Sequence, residues 1–547
     1  MPRRHVVIAR GAAFAVVCAA AVVAQESGPR VRSQTVMMPM RDGARLATDV
    51  HLPVGDGPWP ALLMRTPYNR VHLRMFDHVE RGYAVVVQDV RGRFDSEGAN
   101  VPFVADGWGL LQDGYDTVEW VAEQSWCDGK VGTFGPSALG IVQNLTACAT
   151  PPHLVCEYVI VAPASLYHYC AYQGGALRFE QVDGWLKRNA FAPEAFDLFF
   201  SHPTYDETWA ALDCTTRHHL VTVPTVQRGG WFDTFSQGQI ESFVGLQHNG
   251  GPGAAGNQKL IMGPWGHGAG GTPEQGELTF PENFRGPGVG ESSRRWFDHW
   301  LRGMDTGVMS LPAVAYYTIG DVDDPEAPGN VWRHADDWPV PASPTPLYLQ
   351  TDSSLRRGRP FRPSASRCYS YDPLDPVPTV GGNNLLIASG PADQRPVESC
   401  PDVLVFTTPP LERPVEVTGR VWLTLWASSS CPDTDFTAKL CDVYPDGRSM
   451  LVCDGVLRTR YRNSFSAPEL LRPGRAYKFE VDLWSTSIVF AAGHRIRLSV
   501  SSSNHPRFDV NPNTGVPFEE GGETHIACNR VYMDLRRPSH VLLPVVK

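Results

Sequence analysis

A doubly wound α/β domain that carries a helical insertion and is followed by an all-β domain is the architecture this sequence predicts, on three observations. Strands and helices alternate through the first three hundred residues, with continuous apolar runs such as Tyr83–Val87 that suit parallel strands covered on both faces. Between about Pro163 and Pro224 the apolar spacing turns helical and rich in Trp and Phe, with no sheet strand. From about Leu347 only short, partly alternating strands occur, separated by turn signals such as Pro445-Asp446-Gly447. At 547 residues the chain is too long for a single core.

Taken in order, a disordered linker is expected to about Ser33. Val36–Met40 and Leu46–Leu52 then read as a hairpin across Arg41-Asp42-Gly43. Ala61–Arg65 is a buried strand ending at Thr66-Pro67-Tyr68, and Tyr83–Asp89 is the next. Asp113–Gln124 is a helix with Val118, Trp120 and Val121 inward. Val131–Phe134 form a strand that Gly135 ends. Pro136 keeps a helix from starting earlier, so it begins at Ala138 and follows Leu139, Ile141, Val142, Leu145 and Ala149. Helices are expected over Leu177–Asn189 and Phe191–His202. The sheet resumes at Val221–Val226 and ends at Gly229-Gly230-Trp231-Phe232-Asp233. Lys259–Gly263 leads to Pro264-Trp265-Gly266-His267, and the helix Ser292–Leu301 carries Trp296, Phe297 and Trp300 on one side. Val421–Trp426, Phe436–Leu440, Tyr477–Val481 and Ile496–Val500 are strands of the last domain, a sandwich or jelly roll.

Composition narrows the function. The formal charge is −10 with no basic stretch in the body, which excludes nucleic acid as a partner. Arg3, Arg4, His5 and Arg10 precede the apolar run Ala12–Ala24, and Val22-x-Ala24 is a small-residue cleavage site before Gln25. This reads as a signal peptide over 1–24 and export to the periplasm or medium, with no membrane association after its removal. Without Cys18, eleven of the twelve cysteines remain, with no metal-type spacing. Cys431, Cys441 and Cys453 are close enough for one bridge, and small buried thiols are the equal alternative. The sequon Asn144-Leu145-Thr146 lies on the helix after Ser137 and is discounted as a glycosylation site.

Chemistry concentrates at three strand ends. Gly135-Pro136-Ser137-Ala138-Leu139-Gly140 places a serine on a tight strand-to-helix turn, with its last glycine one position later than in the common Gly-x-Ser-x-Gly form. Such a turn is often only a connection. Asp233 and His267 also follow strands, and the order Ser, Asp, His is that of α/β-hydrolase triads. A serine hydroxyl is a weak nucleophile until a base takes its proton, an imidazole can take and return that proton, and a carboxylate orients the imidazole. Taken singly, Asp233 could be a helix N-cap and His267 a turn residue in a Gly-rich loop. His299 and His505 are weaker candidates for the base.

The segments Arg65-Thr66-Pro67-Tyr68, Asp89-Val90-Arg91-Gly92, Trp126–Gly140, Gly230-Trp231-Phe232-Asp233 and Gly263-Pro264-Trp265-Gly266-His267 resemble the cocaine esterase family. So do Val417-Thr418-Gly419, Asp433-Thr434-Asp435-Phe436, Leu457–Arg462 and Ala492–Arg497 in the last domain. This CocE/NonD-type group is related to α-amino acid ester hydrolases and X-Pro dipeptidyl peptidases, and the resemblance covers the chain after about Thr35. It implies an α/β-hydrolase domain over 35–162 and 223–344, a helical cap over 163–222, and a jelly-roll domain over 345–547. It also implies Ser137 as nucleophile, His267 as base, Asp233 as its orienting acid, and Tyr68 with the Ala138 amide as oxyanion donors. Neither cofactor nor metal is implied. Phe235, Trp231, Tyr172 and Phe179 are expected to bind substrate, and the aromatic-rich cap (Tyr167, Tyr169, Tyr172, Phe179, Trp185 and Phe191) suggests a bulky apolar acyl group.

Two departures from the family pattern bear on substrate. The residue after the serine is the small Ala138 rather than an aromatic, and Phe235 and Ser236 stand where amino-acid ester hydrolases carry an acidic pair that holds an ammonium. The expectation is a serine hydrolase acting on a small-molecule ester, less so an amide. An X-Pro dipeptidyl peptidase or α-amino acid ester hydrolase is the alternative, and a non-catalytic polymer-binding protein the more remote one. The sequence leaves the oligomeric state open, a homodimer included.

Overall fold

The computed structural model describes residues 31–547 apart from Arg74, Ala269 and 518–521. The expected signal peptide lies outside the described residues.

The first half is built on one ten-stranded sheet. Its strands are β1 (Val31–Pro39), β2 (Arg45–Pro53), β3 (Trp59–Thr66), β4 (Ala84–Asp89), β5 (Cys127–Pro136), β6 (Leu154–Ile160), β7 (Thr225–Gly230), β8 (Lys259–Gly263), β9 (Val314–Thr318) and β10 (Val331–Ala335). They lie in the order β1-β2-β4-β3-β5-β6-β7-β8-β9-β10. Pairing from β4 through β3 to β9 is parallel, and β1, β2 and β10 add antiparallel edges. Every residue of β4 is buried, as its unbroken apolar start requires. On one face Leu63 and Val86 pack with Val118 and Val121 of α1 (Asp113–Ala122) and Leu145 of α2 (Ala138–Cys148). On the other, Leu62 and Val85 share a cluster with Trp296 and Phe297 of the final helix, Val289–Trp300. The helix face of α1 is slightly turned from expectation: Thr117 is fully buried, and Trp120 is half-buried against Met38, Met40 and Leu46.

Two expectations are corrected, and of two alternatives for the cysteines one is found. The stretch before Ser33 is already strand, because Val31 opens a nine-residue ladder with β2. The sheet resumes at Thr225 rather than Val221. Pro224 has no amide hydrogen to give a ladder, although its carbonyl accepts from Glu157. No disulfide forms among the described residues. In the strand pair Asp435–Val443 and Ser449–Arg458, Cys441 stands opposite Leu451 while Cys453 stands opposite Leu440, so the two thiols are out of line.

Between β6 and β7 the chain contributes no strand to the main sheet and instead forms α3 (Phe179–Arg188) and α4 (Pro193–Phe200). From Ser343 onward the chain is almost entirely β, in a seven-stranded and a four-stranded antiparallel sheet. The two share one core of Leu423, Leu425, Phe436, Phe479 and Leu498. The motifs of this half are structural. Arg458 forks onto Asp435 and Asp509, and burial pushes the Asp435 carboxyl up to about 6. Asp433 holds Arg460 and Asn511. His494 bridges Asp442 and Asp321. The same network grips the insertion, since Asp509 accepts from the Leu177 amide at 2.8 Å and the Arg458 amide donates to Gly174 at 2.9 Å.

Candidate active site

Ser137 stands at the C-terminal end of β5 with φ 59° and ψ −126°, a conformation that side-chain-bearing residues rarely adopt. The turn holds it there. The Ser137 amide donates to Ile160, and its carbonyl accepts the first bonds of α2 from Gly140 and Ile141. Gly135 has φ +151°, and a Cβ on it would stand 2.5 Å from Leu139 Cβ. Gly140 has a packing reason of its own, since a Cβ there would meet Ala162 at 2.6 Å. The displaced glycine of the motif is thus the residue that lets α2 approach the end of β6.

Asp233 and His267 come to the same place from the ends of β7 and β8. His267 Nε2 lies 3.0 Å from Ser137 Oγ, and His267 Nδ1 lies 2.7 Å from Asp233 Oδ2. A carboxylate only accepts, so Nδ1 carries the proton of the neutral ring and Nε2 is left free to accept from the serine. Asp233 is completely buried, and its other oxygen accepts from the Phe235 amide at 2.7 Å. The helix that follows begins at Ser236 with Phe235 as its N-cap, so Asp233 is not the helix N-cap: its Oδ1 closes a local turn and its Oδ2 is left to orient the His267 ring.

Sequence reasoning did not find what fixes this loop. Asn383, from the β half, donates to the Trp231 and Asp233 carbonyls, each at 2.8 Å. Arg178 is fully buried and donates to the carbonyl and hydroxyl of Thr234, both at 2.6 Å, and to the Asn383 carbonyl at 2.9 Å. It makes no ion pair among the described residues, and burial pulls its guanidinium down to about 10. Glu180 accepts from the Leu385 and Leu386 amides at 2.9 and 3.0 Å. Nothing in the local pattern around Asn383 or Arg178 marks them, because these partners lie from 56 to 205 residues away.

Tyr68 follows β3 and reaches Ser137. Its oxygen accepts from Trp185 Nε1 at 2.9 Å, which leaves its own proton to be given away. Burial raises its pKa and keeps it protonated. The amide of Ala138, at the first turn of α2, is one of the donors a helix N-terminus leaves without an intrahelical partner.

The cavity in front of Ser137 measures about 30 Å³, and its lining includes Tyr68, Ala138, Val182, Trp185, Phe235 and Leu385 together with Phe103, Ile141, Cys170, Gln181 and Phe199. Of the expected substrate-binding residues only Phe235 lines it, with its ring edge-on to His267 at 5.5 Å. Trp231 is core, donating to the Tyr317 carbonyl and packed on Trp338. Tyr172 is stacked on Tyr167 and donates to the Phe199 carbonyl. Phe179 stacks on His505 outside the cavity wall. Of the cap aromatics Tyr167, Tyr169, Tyr172, Phe179, Trp185 and Phe191, only Trp185 lines the serine cavity. His299 contacts the Met304 carbonyl, away from the site.

The chain is similar to known proteins along most of its length. Residues 42–197 and 186–269 match the X-Pro dipeptidyl-peptidase (S15 family) model, and residues 306–542 match the X-Pro dipeptidyl-peptidase C-terminal non-catalytic domain. Cocaine esterase of Rhodococcus sp. (strain MB1 Bresler) is 36% identical, across 94% of this chain and 98% of its own. Among solved structures, an α-amino acid ester hydrolase superposes with a TM-score of 0.79 at 28% identity, over 96% of this chain and 98% of the other. An aminopeptidase from a marine-sediment Thaumarchaeota archaeon gives 0.79 at 26% identity, over 95% and 97%.

Proposed function

The chain belongs to the CocE/NonD hydrolase family, and we propose that it is a serine esterase that cleaves uncharged carboxylic esters with a compact apolar acyl group. The observation that carries the reading is the hydrogen-bonded line from Ser137 through His267 to the buried Asp233, with the Tyr68 hydroxyl beside the serine. Ser137 Oγ attacks the ester carbonyl while His267 Nε2 takes its proton, and Asp233 stabilises the resulting imidazolium. The charge that develops on the carbonyl oxygen is met by the Tyr68 hydroxyl and the Ala138 amide. His267 returns the proton to the leaving alkoxide. A water that His267 then deprotonates releases the acid from the serine.

The cavity supports a short acyl group. About 30 Å³ is two to three times the space a single water needs, which admits a short acyl chain. This favours a short acyl group over a bulky one. The lining contains no carboxylate, so a free α-ammonium would be desolvated without a partner. That weighs against amino-acid esters and against removal of X-Pro dipeptides, despite the S15 family match. Fluorophosphonate labelling with peptide mapping tests the mechanism, and label should appear on Ser137. Rates on acetyl, butyryl and benzoyl esters, phenylalanine methyl ester and Gly-Pro anilide test the substrate class. Faster turnover of the anilide than of acetyl ester would overturn it. Failure of well-folded protein to label would instead favour a non-catalytic binding protein.

Export is part of the same proposal, supported by the basic lead, apolar run and Val22-x-Ala24 of the first twenty-four residues. N-terminal sequencing of protein expressed in a bacterial host should read from Gln25.

A further inference from the structure

A second cavity of about 250 Å³ lies between the insertion and the β half, separated from the serine cavity by one turn of chain. In the turn Tyr167–Ala171, Tyr169 lines this cavity while the next residue, Cys170, lines the serine cavity. We propose that this second cavity is a binding site for a neutral saccharide.

Four features point to that class. The wall presents the half-buried rings of Trp422 and Phe465, surfaces against which the C–H face of a sugar ring packs, and the buried rings of Tyr461 and Trp484 also line it. Between them stand planar polar groups, the carboxylates Glu480 and Asp482 and the guanidinium groups of Arg420 and Arg462. Each of the four is held in an ion pair, Arg420 with Asp482 and Glu241, Arg462 with Glu469, and Glu480 with Lys478. Their charges are thus compensated, and the cavity asks for hydroxyls rather than for an ion. Third, Gln173 is 2% exposed and lines the cavity, and its carbonyl oxygen accepts from Arg507. Its amide nitrogen finds no acceptor among the described residues. A buried donor without a partner is costly, and a ligand hydroxyl is the group that would satisfy it. The neighbouring His168 imidazole also lines the cavity, and burial lowers its pKa, so it can donate or accept as a neutral ring. Fourth, Trp484 is held at φ 68°, a conformation a bulky residue rarely adopts, with its amide fixed by Asp482 at 3.0 Å. The strain sets the indole between Tyr169 and the Arg178 guanidinium, 5.3 Å from its ring. Through Arg178 and Thr234 this wall touches the loop that carries Asp233.

Calorimetric titration of the full chain with xylobiose, cellobiose and maltose tests the proposal. At least one disaccharide should saturate with one site per chain. Trp422→Ala, at a half-buried ring, and Gln173→Leu, which removes the orphan donor, should each weaken that binding at least tenfold. Both should leave hydrolysis of p-nitrophenyl acetate unchanged. If Gln173→Leu fails to fold, Trp422→Ala alone decides. No saturable binding up to tens of millimolar, binding that survives the substitutions, or saturation by p-nitrophenol but by no saccharide would each overturn the assignment. Because the saccharides are not esters, none of these outcomes depends on the esterase reading.

Discussion

The three reacting side chains and the cavity they face are built in different ways. Ser137, Asp233 and His267 each follow a parallel strand of one sheet by no more than four residues. Neighbouring strands of a doubly wound sheet end on one edge, which brings the three side chains together, and the rest of the chain only fixes the Asp233 loop through Asn383 and Arg178. The cavity draws instead on a loop before α1 through Phe103, on α3 through Val182 and Trp185, on α4 through Phe199, and on the β half through Leu385. Its wall is a junction, clamped by Arg178, Glu180 and Asn383. The first kind of site fixes a mechanism, and the second fixes what is admitted to it.

Substitutions can break this division in order of size. Ser137→Ala should lower kcat on acetyl ester by roughly a million-fold with Tm unchanged. Retained turnover would mean the reacting groups lie elsewhere. Asp233→Asn should cost about 10⁴ in kcat, since the ring then loses its enforced tautomer. Tyr68→Phe should cost about 10² to 10³, mostly in kcat, because a donor to the developing oxyanion is lost while the cavity keeps its shape. Leu385→Ala, in the β half, should do the reverse. We expect kcat on acetyl ester within a few-fold, and a gain of about tenfold in kcat/KM for butyryl or benzoyl over acetyl ester. A change in kcat as large as that of Tyr68→Phe would show that the junction governs chemistry as well as admission.

The smallest effect concerns stability. Glu157, on β6 beside the serine strand, is fully buried against Thr133 and Thr225, and burial pushes its carboxyl up to about 8. Its folded pKa lies above the unfolded value. The folded chain therefore holds a proton that the unfolded chain has released, and the stability this lends is full below about pH 4 and lost as pH rises through 8. Between pH 5 and 9 the Tm of Glu157→Gln should fall less than that of the wild type, measured by thermal melts, with little change in turnover at pH 7.

Legibility followed the same division. The periodicity of Ala84–Asp89 and of Lys259–Gly263 is local, so both strands are found almost to the residue. A reader of sequence goes wrong where a single atom decides, as at Pro224, whose missing amide hydrogen moves the start of β7 to Thr225. The strand β9 and the edge strand β10 carry no signal strong enough to separate them from the loops that flank them. Trp231 and Tyr172 show the other limit. Their ring chemistry suits a binding pocket as well as a core, and only their hydrogen bonds to the Tyr317 and Phe199 carbonyls place them in packing.

By itself the sequence determined the alternation that makes a doubly wound sheet, the change to an all-β second half, and the positions of Ser137, Asp233 and His267, because each depends on neighbours a few residues away. The tertiary structure decided the lone pair of Tyr68 that Trp185 fills, the small volume before the serine, and the grip of Asn383 and Arg178 on the Asp233 loop. These depend on groups more than a hundred residues apart in the cavity and up to about two hundred apart in the clamp. No period or motif encodes such a meeting, and packing of the three segments against one another creates it.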